Sequence, residues 1–277
     1  MKTSTTKKPQ AKVRPLLKTP ISYYGGKQKL ASEIISRIPK HTLYGEPFLG
    51  GAAIFFGKAP SEVEVINDTN RELINFYRVV QNEFVSLEKE IRISLHSRDL
   101  HRKAKVIYDN PDMFSEVKRA WAVWVLSSQG FSSKIDGPWG YDIAKTRTPK
   151  TINNKKESFT EDLAIRLQNV QLECTDAIRV ITSRDTPDSF FYCDPPYYNS
   201  DCGHYDGYSI DDFERLLQVL SKIQGKFLLS SYPSDILKQY AARHGWSCVA
   251  FQQKVTVNAK SGNLKGKTEV LTANYPI

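Results

Sequence analysis

An α/β fold is predicted by this sequence: a mostly parallel sheet flanked by helices and split by a mainly helical insertion. Three observations predict it. Short apolar runs that stop at turn residues alternate with helix-period apolar stripes from residue 29 to 81; that rhythm breaks between 82 and 165; and it resumes from 166 to the end. A chain of 277 residues, 40% hydrophobic and 25% charged, is long enough for one large domain carrying such a second lobe.

The elements follow in order. Leu30, Ile34 and Ile38 share one helical face. Residues 42–48 form an expected strand that stops at Gly50-Gly51, and 52–56 start a helix. Residues 62–66 alternate as a second strand ending at Asn67-Asp68, and the next helix carries Leu73, Tyr77 and Val80 on one stripe. This strand–turn–helix–strand–acid–helix order is that of a nucleotide-type α/β half. In the insertion, a helix holding Val117, Ala120, Trp121, Trp124 and Val125 belongs to the core. Residues 129–156 are expected to be irregular, rich in Gly, Ser, Pro, Lys and aromatics, and a loop of that length usually has a function. Further strands are expected at 170–174, 190–193, 226–231, 247–257 and 268–275. Ser209 with Asp212 marks a capping-box start for a helix that buries Phe213, Leu216, Leu217 and Leu220. The expected organisation is a flexible basic arm at 1–18, a core made of 19–81 and 166–277, and an insertion at 82–165.

The net charge of +9 is unevenly spread. Lys2, Lys7, Lys8, Lys12, Arg14 and Lys18 occupy the arm without an acid; Lys145, Arg147, Lys150, Lys155 and Lys156 lie in the insertion; Lys254, Lys260, Lys265 and Lys267 lie near the end. Such clusters steer a protein onto a phosphate backbone, and Lys145, Arg147 and Lys150 are the candidate contacts. The longest apolar run, 120–126, is too short for a bilayer, and no apolar segment follows the N-terminal lysines, so a cytoplasmic location without membrane attachment is expected. Cys174, Cys193, Cys202 and Cys248 lack C-x-x-C spacing; reduced cysteines are favoured over a zinc site drawn from Cys193, Cys202 and His204, and no metal is expected.

The sharpest motif is Asp194-Pro195-Pro196-Tyr197, directly behind the apolar run Phe190-Phe191-Tyr192-Cys193. Two prolines break any ladder, so the chain leaves the sheet there and sets Asp194 and Tyr197 at a strand's carboxyl end, where open α/β sheets bind ligands. The plainer alternative is a strand ended by a Pro-Pro turn. A carboxylate, the Pro195 carbonyl and an aromatic face suit an aromatic amine. The two acceptors draw its N–H bonds toward tetrahedral geometry, and the ring holds the base by stacking, with the phenol hydroxyl expected to be idle.

With these residues in view, the chain resembles the adenine-N6 DNA methyltransferases in which the cofactor region comes first, target recognition second and the catalytic tetrapeptide last. The resemblance runs over about residues 20–81 and 171–275. It rests on Tyr23-Tyr24-Gly25-Gly26-Lys27, Glu46-Pro47-Phe48-Leu49-Gly50-Gly51, Asp194-Pro195-Pro196-Tyr197 and Thr268-Glu269-Val270-Leu271 before Asn274-Tyr275. It implies a Rossmann-like S-adenosylmethionine-dependent core with a recognition insertion, and methyl transfer to N6 of an adenine flipped out of double-stranded DNA. Asp194, Pro195, Pro196 and Tyr197 would be catalytic. Tyr23, Lys27, Glu46, Pro47, Phe48, Gly50, Gly51, Asp68, Asp176 and Asp194 would hold the cofactor. Lys27 is placed to reach a carboxylate or phosphate. Asp68, at the second strand's end, is placed for ribose hydroxyls, its alternative being a helix cap. Asp176 is placed for the cofactor's adenine amine, its alternative also a cap. A cognate restriction endonuclease is a candidate partner. The rivals are methylation of structured RNA, methylation of a protein glutamine and an inactive DNA-binding module. Two departures stand out: Ala52 replaces a usual glycine, so Gly51 is expected to take the tight turn, and the middle region does not match the GATC-specific members.

Overall fold

The structure is a computed structural model that describes residues 16–199, 208–254 and 266–277. Its sheet has seven strands, β1 (Leu43–Glu46), β2 (Val63–Asn67), β3 (Gln171–Glu173), β4 (Ser189–Cys193), β5 (Lys226–Ser231), β6 (Ser247–Lys254) and β7 (Gly266–Ala273), in the order β3-β2-β1-β4-β5-β7-β6. The first five are parallel, while β7 runs antiparallel to both β5 and β6. The chain builds outward from β1 through β2 to β3, then returns to β4. The strand order therefore reverses between β1 and β4, and the crevice beyond their carboxyl ends is where such sheets bind ligands. Glu46 ends β1, and Asp194 follows β4.

Strand β4 is buried throughout, and its two-residue period sorts its side chains between two cores. Phe190 and Tyr192 join Tyr44, Ile66 and Leu228 on one face; Phe191 and Cys193 meet Phe227 and Leu229 on the other. The second face is covered by α10 (Ile210–Leu220), whose Phe213, Leu216, Leu217 and Leu220 are buried and whose Ser209–Asp212 capping box forms as expected. The first face carries α1 (Ala31–Ile35), α2 (Ala53–Gly57) and α3 (Arg71–Asn82), and its core runs without a break into the insertion.

Five α-helices lie between α3 and β3: α4 (Phe84–Ile93), α5 (Arg98–Asp109), α6 (Glu116–Gln129), α7 (Thr148–Ser158) and α8 (Asp162–Leu167). Helix α6 is the spine of the insertion, buried from Arg119 to Gln129. Arg119 grips Glu72 of α3 through two parallel bonds, 2.8 Å from Nε and 2.7 Å from Nη2, and so anchors the lobe to the sheet layer.

The structure corrects the expectation of an irregular 129–156. Its second half is α7, whose first turn is capped from outside the helix: the Asp142 carboxylate accepts from the Arg147 and Thr148 amides at 2.8 and 2.7 Å. Helix α9 (Ala177–Ser183) and α11 (Asp235–His244) were not foreseen. Only Leu237 of α11 is buried, so that helix shows almost no apolar period. The first expected strand ends at Glu46 instead of residue 48. Residues 1–15 of the expected arm lie outside the described residues, and Leu16 and Leu17 already donate to the Gly57 and Phe56 carbonyls at 3.0 and 3.1 Å. Cys202, His204, Lys260 and Lys265 also lie outside them. No described helix is long and apolar enough to cross a membrane.

Candidate active site

Beyond β1, residues 47–52 form a loop pinned to the end of β2. The Leu49 amide donates to the Asn67 carbonyl at 2.9 Å, the Asn67 side-chain amide donates to the Pro47 carbonyl at 2.8 Å, and the Gly50 amide donates to Asp68 Oδ2 at 3.0 Å. Left-handed backbone falls at Gly50 (φ 48°) and Ala52 (φ 55°), not at the expected Gly51. A Cβ on Gly50 would stand 3.2 Å from the Tyr23 ring, so the glycine serves both the turn and the close approach of that ring. Ala52 accepts a conformation that costs an alanine about 1–2 kcal/mol because its methyl is buried in the core.

This loop forms one wall of a cavity of about 1590 Å³ that also reaches Asp68, Asp176, Asp194 and Tyr197. A single small-molecule pocket spans roughly 300–1,000 Å³, so the space suits a nucleoside cofactor and a base together. Glu46 lies at its floor, buried, with the Tyr44 hydroxyl donating to Oε2 at 2.6 Å. Burial, with the nearby Asp194 charge adding to it, pushes the Glu46 carboxyl up to about 8. No ion pair reaches Glu46 among the described residues. A buried carboxyl of this kind fits a cationic ligand, and S-adenosylmethionine carries a sulfonium and an ammonium. Asp68 is half-buried, its carboxyl raised by burial; it binds the Gly50 amide through one oxygen and the Asn70 amide, at 2.9 Å, through the other. Asn70, not Asp68, caps α3. Asp176 caps α9, accepting from the Ile178 amide at 2.7 Å, and remains exposed on the cavity rim.

Opposite the loop, Asp194 leaves β4 and meets two donors. Its Oδ1 lies 2.7 Å from the Lys27 ammonium and accepts from the Tyr197 hydroxyl at 3.1 Å. Glu269 of β7 lies 3.4 Å from the same ammonium and accepts from the same hydroxyl. Lys27 also donates to the Gly25 carbonyl at 2.9 Å. Burial pushes the Asp194 carboxyl up to about 6; Lys27 pulls against that rise and the Glu269 charge adds to it. Burial works to lower Lys27, but Asp194 and Glu269 outweigh it and the ammonium is held above its usual range. The Tyr197 ring lies against Tyr232, centroids 4.4 Å apart and tilted by 59°. Its hydroxyl, expected to be idle, is engaged by two carboxylates. Lys27, expected to reach a carboxylate or phosphate, pairs with the Asp194 carboxylate.

Most expected site residues thus converge on one cavity: Tyr23, Lys27, Pro47, Phe48, Gly51 and Asp68 with Pro195 and Pro196. The expected cations do not. Lys145, Arg147 and Lys150 are exposed and away from the cavity wall, whereas Thr151, Asn154, Lys155 and Ser158 of the same helical region line it. Lys155, named in that basic cluster, was not among the candidate contacts. Among the described residues its ammonium reaches the Ser128 hydroxyl, at 3.5 Å, and burial drives it down to about 8. Glu269 was also missed as a site residue; its signal is the one acid of its strand, directly before the apolar pair Val270-Leu271.

Comparison with known proteins places the chain in a family. The model of D12 class N6 adenine-specific DNA methyltransferases matches residues 23–254. The Type II methyltransferase M1.LlaDCHI of Lactococcus lactis subsp. cremoris is 28% identical, over 95% of this chain and 96% of that protein. M.MjaIII, a Type II methyltransferase of Methanocaldococcus jannaschii, is 27% identical over 95% and 99%. The DNA adenine methylase of Escherichia coli K12 is 21% identical over 92% and 94%. Among solved structures, the precorrin-6y C5,15-methyltransferase of Geobacter metallireducens aligns at 8% identity with a TM-score of 0.39, over 90% of this chain and 87% of that one, a likeness too loose to bear on function. The chain belongs to the D12 class of N6 adenine-specific DNA methyltransferases.

Proposed function

We propose that Asp194, the Pro195 carbonyl and Tyr197 hold and activate the N6 amine of an adenine flipped out of double-stranded DNA, and that the loop at 46–51 with Asp68 and Asp176 holds the methyl donor. The observation that carries this reading is the Asp194 carboxylate, set at the carboxyl end of β4 beside a stacking ring and facing a cavity large enough for two occupants. S-adenosylmethionine supplies an electrophilic methyl group when bound. An adenine amine is a weak nucleophile because its lone pair is delocalised into the ring. Accepting its two N–H bonds at Asp194 and the Pro195 carbonyl returns that pair to nitrogen, and most of the acceleration comes from this positioning. Asp194, beside N6, would also accept the proton that the amine gives up on methylation. Glu46 and Asp68, both lining the cavity, would hold the positive and hydroxyl-bearing parts of the cofactor.

The insertion at 82–165 is the recognition lobe in this reading, aided by the basic arm at 1–18. Exposed Lys145, Arg147 and Lys150 contact phosphates, while Lys155, a half-buried cation without a carboxylate partner among the described residues, meets the backbone next to the flipped nucleotide. The Type II designation of two relatives supports a cognate restriction endonuclease as companion. Mapping N6-methyladenine in a host that expresses the chain or Asp194→Ala tests the reading. Marks at one sequence, absent with Asp194→Ala, are expected; equal marking by both proteins removes Asp194 from the chemistry.

A further inference from the structure

Glu269 is a buried carboxylate in the interior of a sheet. Strand β7 runs antiparallel to β5, with Val270 opposite Ser231, so the first half of β7 reaches the carboxyl edge where Asp194 lies. Side chains alternate along β7: Leu271 and Ala273 enter the core on the Tyr192 side, and Glu269 shares their face. An ionised group in that setting is costly unless it is paired and hydrogen-bonded. Glu269 is paired with two groups that also touch Asp194, the Lys27 ammonium at 3.4 Å and the Tyr197 hydroxyl.

The arrangement is a four-membered polar knot with two donors shared between two carboxylates. Both donors approach Asp194 at Oδ1. Without a second acceptor, Lys27 and Tyr197 would both be free to settle over the Asp194 carboxylate and occupy the oxygens an amine needs. Glu269 gives both of them a second acceptor. We propose that Glu269 is a positioning residue for methyl transfer: by sharing Lys27 and Tyr197 with Asp194 it keeps both donors on Oδ1 and leaves the other carboxylate oxygen for the target amine. This rests on the reading of Asp194 as the amine acceptor.

The test compares the parent chain with Glu269→Gln, Glu269→Asp and Asp194→Ala in single-turnover methyl transfer, alongside cofactor and DNA affinities and melting temperature. Glu269→Gln keeps the shape and removes the charge, and its transfer rate is expected to fall by roughly 10- to 100-fold through misplacement of the acceptor. Affinities and melting temperature should stay near the parent values, and Glu269→Asp should recover part of the rate. The acid limb of the Glu269→Gln rate should move to lower pH, because one negative charge beside Asp194 is gone while Lys27, Tyr197, Tyr192 and Glu46 still face it. A parental rate in Glu269→Gln overturns the proposal. So does a slow rate that comes with lost melting temperature or cofactor affinity and that Glu269→Asp does not improve. If Asp194→Ala itself retains transfer, it is the reading of Asp194 that fails.

Discussion

The Lys27 ammonium lies 2.7 Å from Asp194 Oδ1, with both side chains largely shielded from water. Burial raises this carboxyl, and the paired ammonium pulls the other way, toward the ionised form. The consequence is a pH effect of definite sign. Lys27→Met removes the charge at similar length, so the Asp194 carboxyl rises further and more of it is protonated at neutral pH. Transfer should then be slow near pH 7 and recover as pH rises, with the acid limb above that of the parent. Single-turnover rates across the pH range check this; an unmoved limb would mean Lys27 does not set the charge of Asp194.

Tyr197 contributes a ring and a hydroxyl, and the two separate by substitution. Tyr197→Ala loses a stacking face worth about 1–3 kcal/mol per base, so a fluorescent base analogue at the target should report less of the unstacked state. Tyr197→Phe should keep that signal yet transfer more slowly than the parent, because the phenol no longer bridges Asp194 and Glu269. Full activity in Tyr197→Phe would return the hydroxyl to an idle role.

Glu46 makes stability depend on pH. Its folded carboxyl, at about 8, stands above its unfolded value, so the folded chain keeps a proton that the unfolded chain has released. That stabilising contribution is complete below the unfolded value and is lost as pH rises toward about 8. Glu46→Gln should therefore flatten the fall in melting temperature between roughly pH 5 and 8, while weakening cofactor binding measured by calorimetry. A parental melting profile in the variant would mean the carboxyl titrates normally.

The cations of the insertion should divide into two kinds. Neutralising Lys145, Arg147 and Lys150 weakens DNA binding and reduces the dependence of log affinity on log salt by about 0.9 per lost phosphate contact. Lys155→Met should weaken binding too, and should also lower the population of the unstacked target base, because Lys155 lines the cavity. Equal salt slopes for parent and triple variant would remove that segment from the interface.

The positions of β1, β2, β4 and β5 were legible because each is a short strand-like run that stops at a turn, and Pro195-Pro196 fixed where Asp194 leaves β4; the order in which the strands pair was not. Local pattern failed where partners are remote. Helix α7 takes its cap from Asp142, several residues upstream, and α11 buries one residue, so neither prints an apolar stripe. Ala52 sits in a left-handed conformation that favours glycine, which moved the tight turn away from Gly51. Glu269 and Lys27 stand near opposite ends of the chain, and nothing in either neighbourhood reveals that β7 carries one to the other.

The central claim is that Asp194 activates an adenine amine that the site has already captured. The most direct measurement is single-turnover methyl transfer by Asp194→Ala on DNA bearing a target-site base analogue that fluoresces on unstacking, with cofactor affinity measured in parallel. The account predicts that fluorescence and both affinities persist while transfer falls by about 100-fold or more, the size of losing a group that stabilises only the transition state. Transfer at the parental rate, or a loss of transfer that merely tracks a loss of base capture, would contradict it.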